Sequence, residues 1–199
     1  MDKKTVLLIN THLTYPNRSE GRLNASVQDV AKDFFTAKGF QVLETKVEDG
    51  YDVEEEVAKH LQADLIILQT PINWFGAPWI YKKYTDELFE AGYVNREFLD
   101  GDGRTREDKS KQYGSGGKLS NKKFMVSATW NAPAEAFGDA KQNLMKGKTT
   151  DDLLLNITSN YAFCGAEILQ GFNSFDVVKN PTPDTYFDDY KKYLERILD

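Results

Sequence analysis

The chain has 199 residues and a formal net charge of −6. That balance excludes nucleic acid as the main partner, because phosphate recognition needs a concentrated basic surface, and the cations gathered over 96–123 are diluted by Asp100, Asp102, Glu107 and Asp108. An apolar share of 40% with 28% charged residues excludes a disordered chain, and one cysteine excludes an intrachain disulfide.

Residues 5–9 (TVLLI) form a continuous β-branched and aliphatic run, the mark of a strand covered on both faces. A polar, turn-rich stretch leads into a helix over 21–38, where Leu23, Val27, Val30, Ala31, Phe34 and Phe35 recur at near-helical spacing. Gly39 supplies its stop. A second strand is expected over 40–45 and a charged helix over 53–62, on which His60 faces solvent. Residues 63–69 (ADLIILQ) read as another buried strand, and 77–89 as a helix with Pro78 in its first turn. Residues 123–129 (KFMVSAT) give a fourth strand, followed by a helix over 150–163 capped by Thr150 or Asp151. An interrupted fifth strand over 167–169 and 172–176 precedes a closing amphipathic helix over 183–198.

Strand–helix alternation repeated five times predicts an α/β fold: an open, doubly wound parallel sheet with helices on both faces. Five strands suit the flavodoxin-like order 2-1-3-4-5 better than a six-stranded Rossmann sheet. One domain over 1–199 is expected, with a long glycine-bearing loop insertion at about 91–120, a length that signals function or disorder. The charged start runs directly into a strand, so no signal peptide is expected. No apolar stretch reaches the ~20 residues of a membrane span, which points to the cytoplasm.

In such sheets ligands sit beyond the carboxyl ends of the strands, where strand order reverses. The first loop ends in Ser19-Glu20-Gly21-Arg22-Leu23-Asn24 at a helix start, whose free N–H groups suit an anion, with Ser19 and Asn24 adding polar side chains and Arg18 or Arg22 charge. No G-x-G-x-x-G or Walker loop is present, which weakens a Rossmann dinucleotide site or a P-loop. The third loop, Thr70-Pro71-Ile72-Asn73-Trp74-Phe75-Gly76, packs rings and amides between prolines and fits a planar heterocycle such as isoalloxazine, or else a core or interface. The fourth, Thr129-Trp130-Asn131-Ala132-Pro133, repeats the theme and suits the same heterocycle's pyrimidine end. No catalytic dyad is visible, and a cofactor that carries hydride needs none. Cys164 reads as a buried structural thiol, and His12 as either a neighbour of the cofactor loop or a bystander. No metal site is expected.

The runs 69–89 (QTPINWFGAPWIYKKYTDELF), 102–117 (DGRTREDKSKQYGSGG) and 127–137 (SATWNAPAEAF) resemble the modulator of drug activity B family, NADPH-dependent quinone reductases related to DT-diaphorase. The resemblance covers nearly the whole chain. It implies a flavodoxin-like homodimer with one FAD per subunit, FMN being the alternative, with NADPH or NADH as hydride donor and a quinone as acceptor. Ser19, Glu20, Gly21, Arg22, Leu23, Asn24, Ala25 and Ser26 would cradle the pyrophosphate and ribityl region. Ile72, Asn73, Trp74 and Phe75 would contact the ring, and Thr129, Trp130, Asn131 and Ala132 would complete the clamp. Tyr113 would pack at the flavin and substrate site, where Trp74, Phe75 and Trp130 shape a slot shared by donor and acceptor. Ile72-Asn73 departs from the Gly-Trp pair of many relatives and is closer to DT-diaphorase-like proteins. Rival readings are an azo- or nitroreductase with the same flavin, a single-electron carrier and a flavin-free interaction domain.

Overall fold

The computed structural model describes residues 3–198. Its sheet is built from β1 (Thr5–Asn10), β2 (Gln41–Lys46), β3 (Leu65–Pro71), β4 (Lys123–Thr129), β5 (Glu167–Ile168) and β6 (Phe172–Ser174). All pairings are parallel and the order is β2-β1-β3-β4-β5, with β6 also on β4. The expected order therefore holds, and the interrupted fifth strand is two short strands on one edge.

Strand periodicity explains the layering. Val6 and Leu8 of β1 join Leu65 and Ile67 of β3 and Met125 of β4 in one apolar cluster. Their alternates Leu7, Ile9, Ile66, Leu68, Phe124 and Val126 enter a second cluster on the opposite face. The first face is covered by α1 (Arg22–Ala37) and α6 (Pro183–Leu198), through Val27, Ala31, Phe35, Tyr190 and Leu194. The second is covered by α2 (Val53–Gln62), α3 (Trp79–Val94) and α5 (Leu155–Phe163), through Val57, Tyr84, Leu88, Ile157 and Tyr161. A strand buried on both faces has no polar alternation, which is why these segments read as continuous apolar runs.

Four expectations need correction. His60 is fully buried, not solvent-facing. It lies on the inner side of α2 with Glu56 and Val57, its Nδ1 2.8 Å from Glu56 O and its Nε2 3.1 Å from Tyr161 Oη. Burial lowers its pKa to about 4, with Glu56 opposing that shift. Helix α3 continues to Val94, because Leu88 and Gly92 both pack inward and Gly92 has no side chain to strike the Phe98 ring. The helix over 150–163 breaks after α4 (Thr150–Leu153), at Leu154, which turns into the core. Its cap is Thr149, whose Oγ1 accepts from Asp152 N while Asp152 Oδ2 accepts from Thr149 N in a reciprocal capping box. Helix α1 stops before Gly39 as expected, with the Gly39 N–H donating to Thr36 O.

The segment from Asn95 to Lys122 carries no strand or helix, yet it is fastened. Phe98 and Leu119 are buried, Lys118 N donates to Phe98 O at 2.8 Å, and Leu119 N donates to Cys164 O at 2.8 Å. Gly117 lies so close to the Cys164 backbone that any β-carbon would overlap it. This segment is a structured strap over the end of α5.

Candidate functional site: a cavity at the carboxyl edge of the sheet

The loops that follow β1, β3 and β4 converge as the strand order requires. Ile72 N donates to Thr129 O at 2.9 Å, which ties the loop after β3 to the end of β4. Trp130 N donates to Ser174 O at 2.8 Å and Val177 N to Trp130 O at 3.1 Å, which ties the β4 loop to β6. These bonds hold one open cavity of about 840 Å³.

The third-strand loop is a tight turn. Asn73 N donates to Gly76 O at 2.8 Å and Gly76 N to Asn73 O at 3.2 Å, enclosing Trp74 and Phe75. Both aromatic residues have positive φ, 51° and 69°, a region that L side chains occupy at a cost. Trp74 is 96% exposed and Phe75 half exposed. The Trp74 ring buries almost nothing and the Phe75 ring only half its surface, a small return for two strained positions, and such strain gathers at functional sites. Among the described residues the N–H groups of Trp74, Phe75 and Asn131 have no acceptor, so donors and rings face the cavity region together.

The first loop supplies charge. Tyr15 and Ser19 exchange backbone hydrogen bonds at 2.9 Å around Asn17, so that Tyr15, Arg18 and Ser19 line the cavity. Gly21 caps α1 in the left-handed region, φ 74°, and offers no side chain to its first-turn N–H groups. A β-carbon there would stand 2.5 Å from His12 Nδ1, so the loop passes directly over the imidazole. His12 Nε2 is 3.0 Å from Ser19 Oγ. Burial lowers the His12 pKa, Glu48 opposes that shift and Lys46 adds to it, which keeps the ring neutral near pH 7.

The structure thus gathers Ser19, Ile72, Asn73, Trp74, Phe75, Trp130, Asn131 and Ala132 around one space. Others stand elsewhere. Asn24 is buried and turned inward, its amide bonded to Asn10 and Gln69. Leu23 packs against the α1–α6 core, and Glu20 pairs with Arg22 at 3.5 Å on the surface. Ala25 and Ser26 lie along α1 outside the cavity. Thr129 is buried and serves through its carbonyl. Trp130 lines the cavity but is only 2% exposed, its Nε1 donating to Asn173 Oδ1 at 2.7 Å and its ring edge-on to Phe137. It is a wall and not a free stacking face. Tyr113 lies outside the cavity, packed on Phe163 with Arg104 over its ring. Cys164 is buried, and burial raises its thiol to about 12, which suits a structural role.

Sequence reasoning missed Tyr15, Gln142, Leu144, Met145 and Val178, all of which line the cavity. The one signal was the apolar pair Leu144-Met145 inside an otherwise polar stretch.

Residues 4–198 match a family model described as flavodoxin-like fold. The NADPH:quinone oxidoreductase MdaB of Haemophilus influenzae is 40% identical over 180 residues, covering 90% of this chain and 92% of that protein. A structure from Klebsiella pneumoniae described as a quinone reductase superposes with a TM-score of 0.78 at 20% identity, covering 98% of this chain and 85% of the other. An FMN-dependent NADH-azoreductase from Bacillus anthracis, solved with FMN, gives 0.67 at 14% identity, covering 98% and 100%. The chain belongs to the flavodoxin-like fold family and, within it, to the MdaB group of NADPH:quinone oxidoreductases.

Proposed function

We propose that this protein is a flavin-dependent NAD(P)H:quinone oxidoreductase, with FAD as its flavin and a homodimer as its working form. The observation that carries the reading is the cavity itself. It joins a strained aromatic turn with free N–H donors to Arg18 and Ser19 of the loop that leads into α1. Planar heterocycle and phosphate ends of one ligand would each meet the chemistry they need. A volume near 840 Å³ accommodates a nucleotide-sized ligand.

The first-turn amides of α1 and Ser19 bind phosphate, and Arg18 neutralises its charge. Trp74 N–H, Phe75 N–H and Asn131 N–H donate to the polar edge of the ring, while Ile72 and the Trp130 wall exclude water from it. A flavin held by these residues would supply the hydride relay between NAD(P)H and the acceptor. The net reaction converts NAD(P)H, a proton and a quinone into NAD(P)⁺ and a hydroquinone. Trp74 and Phe75 flank one open slot, so donor and acceptor occupy it in turn and double-reciprocal plots run parallel. Tyr113 lies outside its own chain's cavity, and it reaches a flavin in a homodimer whose strap meets the partner's cavity. The likeness to the H. influenzae NADPH:quinone oxidoreductase supports NADPH over NADH as the donor.

Among the described residues no helix is long and apolar enough to cross a membrane, which agrees with an enzyme acting in the cytoplasm. The test is the visible spectrum of the purified protein, chromatography of the acid-released cofactor, and stopped-flow bleaching by NADPH followed by reoxidation with a quinone. A colourless protein that takes up neither FAD nor FMN overturns the reading. A stable single-electron species with no quinone turnover assigns it to electron carriage instead.

A further inference from the structure

Beneath the proposed phosphate cradle runs an unbroken chain of buried polar contacts. Gln69 Nε2 donates to Asn24 Oδ1 at 2.8 Å, and Asn24 Nδ2 donates to Asn10 Oδ1 at 2.8 Å. The same Asn10 oxygen accepts from His12 N at 3.0 Å, and His12 Nε2 lies 3.0 Å from Ser19 Oγ. Gln69, Asn24, Asn10 and His12 are each at most 5% exposed.

Packing alone would not place an amide at position 24. The side of α1 that meets the sheet carries Val27, Ala31 and Phe35, and an aliphatic residue at 24 would extend that stripe. The Asn24 side chain instead bonds to Asn10 at the end of β1 and to Gln69 of β3, which are register partners. Gln69 stands three residues before Ile72, and Asn24 is the third residue of α1. The Gln69 Oε1 is left without a partner, so the arrangement keeps an unsatisfied buried oxygen that an apolar core would avoid. Buried polar networks of this kind fix one geometry.

We infer that Asn24 is a positioning residue: through Asn10, His12 and Gln69 it holds the amino end of α1 and Ser19 at a set separation from the loop after β3. The inference rests on the flavin reading. A ligand gripped at both ends is sensitive to that separation, whereas the overall fold is not.

The experiment compares wild type, Asn24→Leu and the pair Asn24→Leu/Gln69→Leu, each stripped of flavin and titrated with FAD and with FMN. Affinity, the thermal midpoint of the flavin-free protein and kcat at saturating flavin are all measured. Asn24→Leu should weaken flavin binding roughly ten- to hundredfold, the loss of one to two directional contacts, with kcat changed by less than about twofold. The pair removes both ends of the Gln69–Asn24 contact, so the thermal midpoint should recover while affinity stays low. Affinity that recovers together with the midpoint, or that never falls in Asn24→Leu, overturns the positioning role. Wild type that binds neither flavin overturns the flavin reading itself.

Discussion

The turn at Trp74 and Phe75 sets stability against function, and the structure allows the balance to be worked out. A two-residue turn with positive φ at both central positions is met by Asn-Gly at little cost. Here Trp74 and Phe75 take those positions at φ 51° and 69°. Left-handed backbone in such residues costs roughly 1–2 kcal/mol each. Trp74 is 96% exposed, so replacing it by Asn sacrifices almost no burial. Phe75→Gly loses about 1 kcal/mol from a half-buried ring and about 1 kcal/mol to chain entropy. The double variant Trp74→Asn/Phe75→Gly should therefore gain about 1 kcal/mol net, a rise in Tm of about 2–4 °C for a chain of this size. Thermal unfolding of the flavin-free protein measures that gain. Quinone reductase kcat/KM should fall at least about tenfold in the same protein, because the rings and the set of the amides are lost. A lower Tm would refute the strain argument, and unchanged kcat/KM would refute the assignment of the turn to the slot.

Gly21→Ala places a β-carbon 2.5 Å from His12 Nδ1 at φ 74°, so it should cost about 1–3 kcal/mol and weaken flavin binding. Urea denaturation and flavin titration check both, and an Ala protein equal to wild type in each would remove the close approach from the argument. His60 has its pKa lowered to about 4 from 6.5, so on acidification the unfolded chain binds the proton first. Its contribution is complete above about pH 6.5 and disappears as the pH falls to about 4, a total near 3 kcal/mol. Urea titrations at several pH values should show His60→Phe flattening that slope, and an unaltered slope would contradict it. Cys164, buried and with its thiol raised to about 12, should react with aromatic disulfide reagents only on unfolding. Rapid labelling of the native protein would place the sulfur nearer to solvent than the structure does.

The fold was legible because two-face burial leaves a local trace. Residues 6–9 and 65–68 are apolar at every position since alternate side chains feed opposite clusters. Element ends were less legible, because tertiary packing decides them. Ala91-Gly92 resembles a stop, yet α3 passes through it because Gly92 lets the Phe98 ring approach, a contact made six residues further on. His60 sits among Glu54, Glu55 and Lys59, and only the facing Tyr161, a hundred and one residues away, reveals which side of α2 is inner.

The site divides along the same line. Trp74 and Phe75 stand out in sequence because aromatic residues in a proline-bracketed loop break the usual turn chemistry, and the structure gives that oddity a backbone cause. The direction of Asn24 left no such trace. An amide at a helix start suits a ligand and a buried relay equally well, and the choice rests on Gln69, forty-five residues later. The cavity's outer wall is harder still. Met145 and Leu144 reach it because Gly138 N bonds to Lys148 O at 3.0 Å and folds the stretch between them back on itself. Val178 reaches it because Val177 N bonds to Trp130 O. Backbone bonds of this kind carry no side-chain signature, so the cavity's outer wall is the part of the site that sequence patterns describe least.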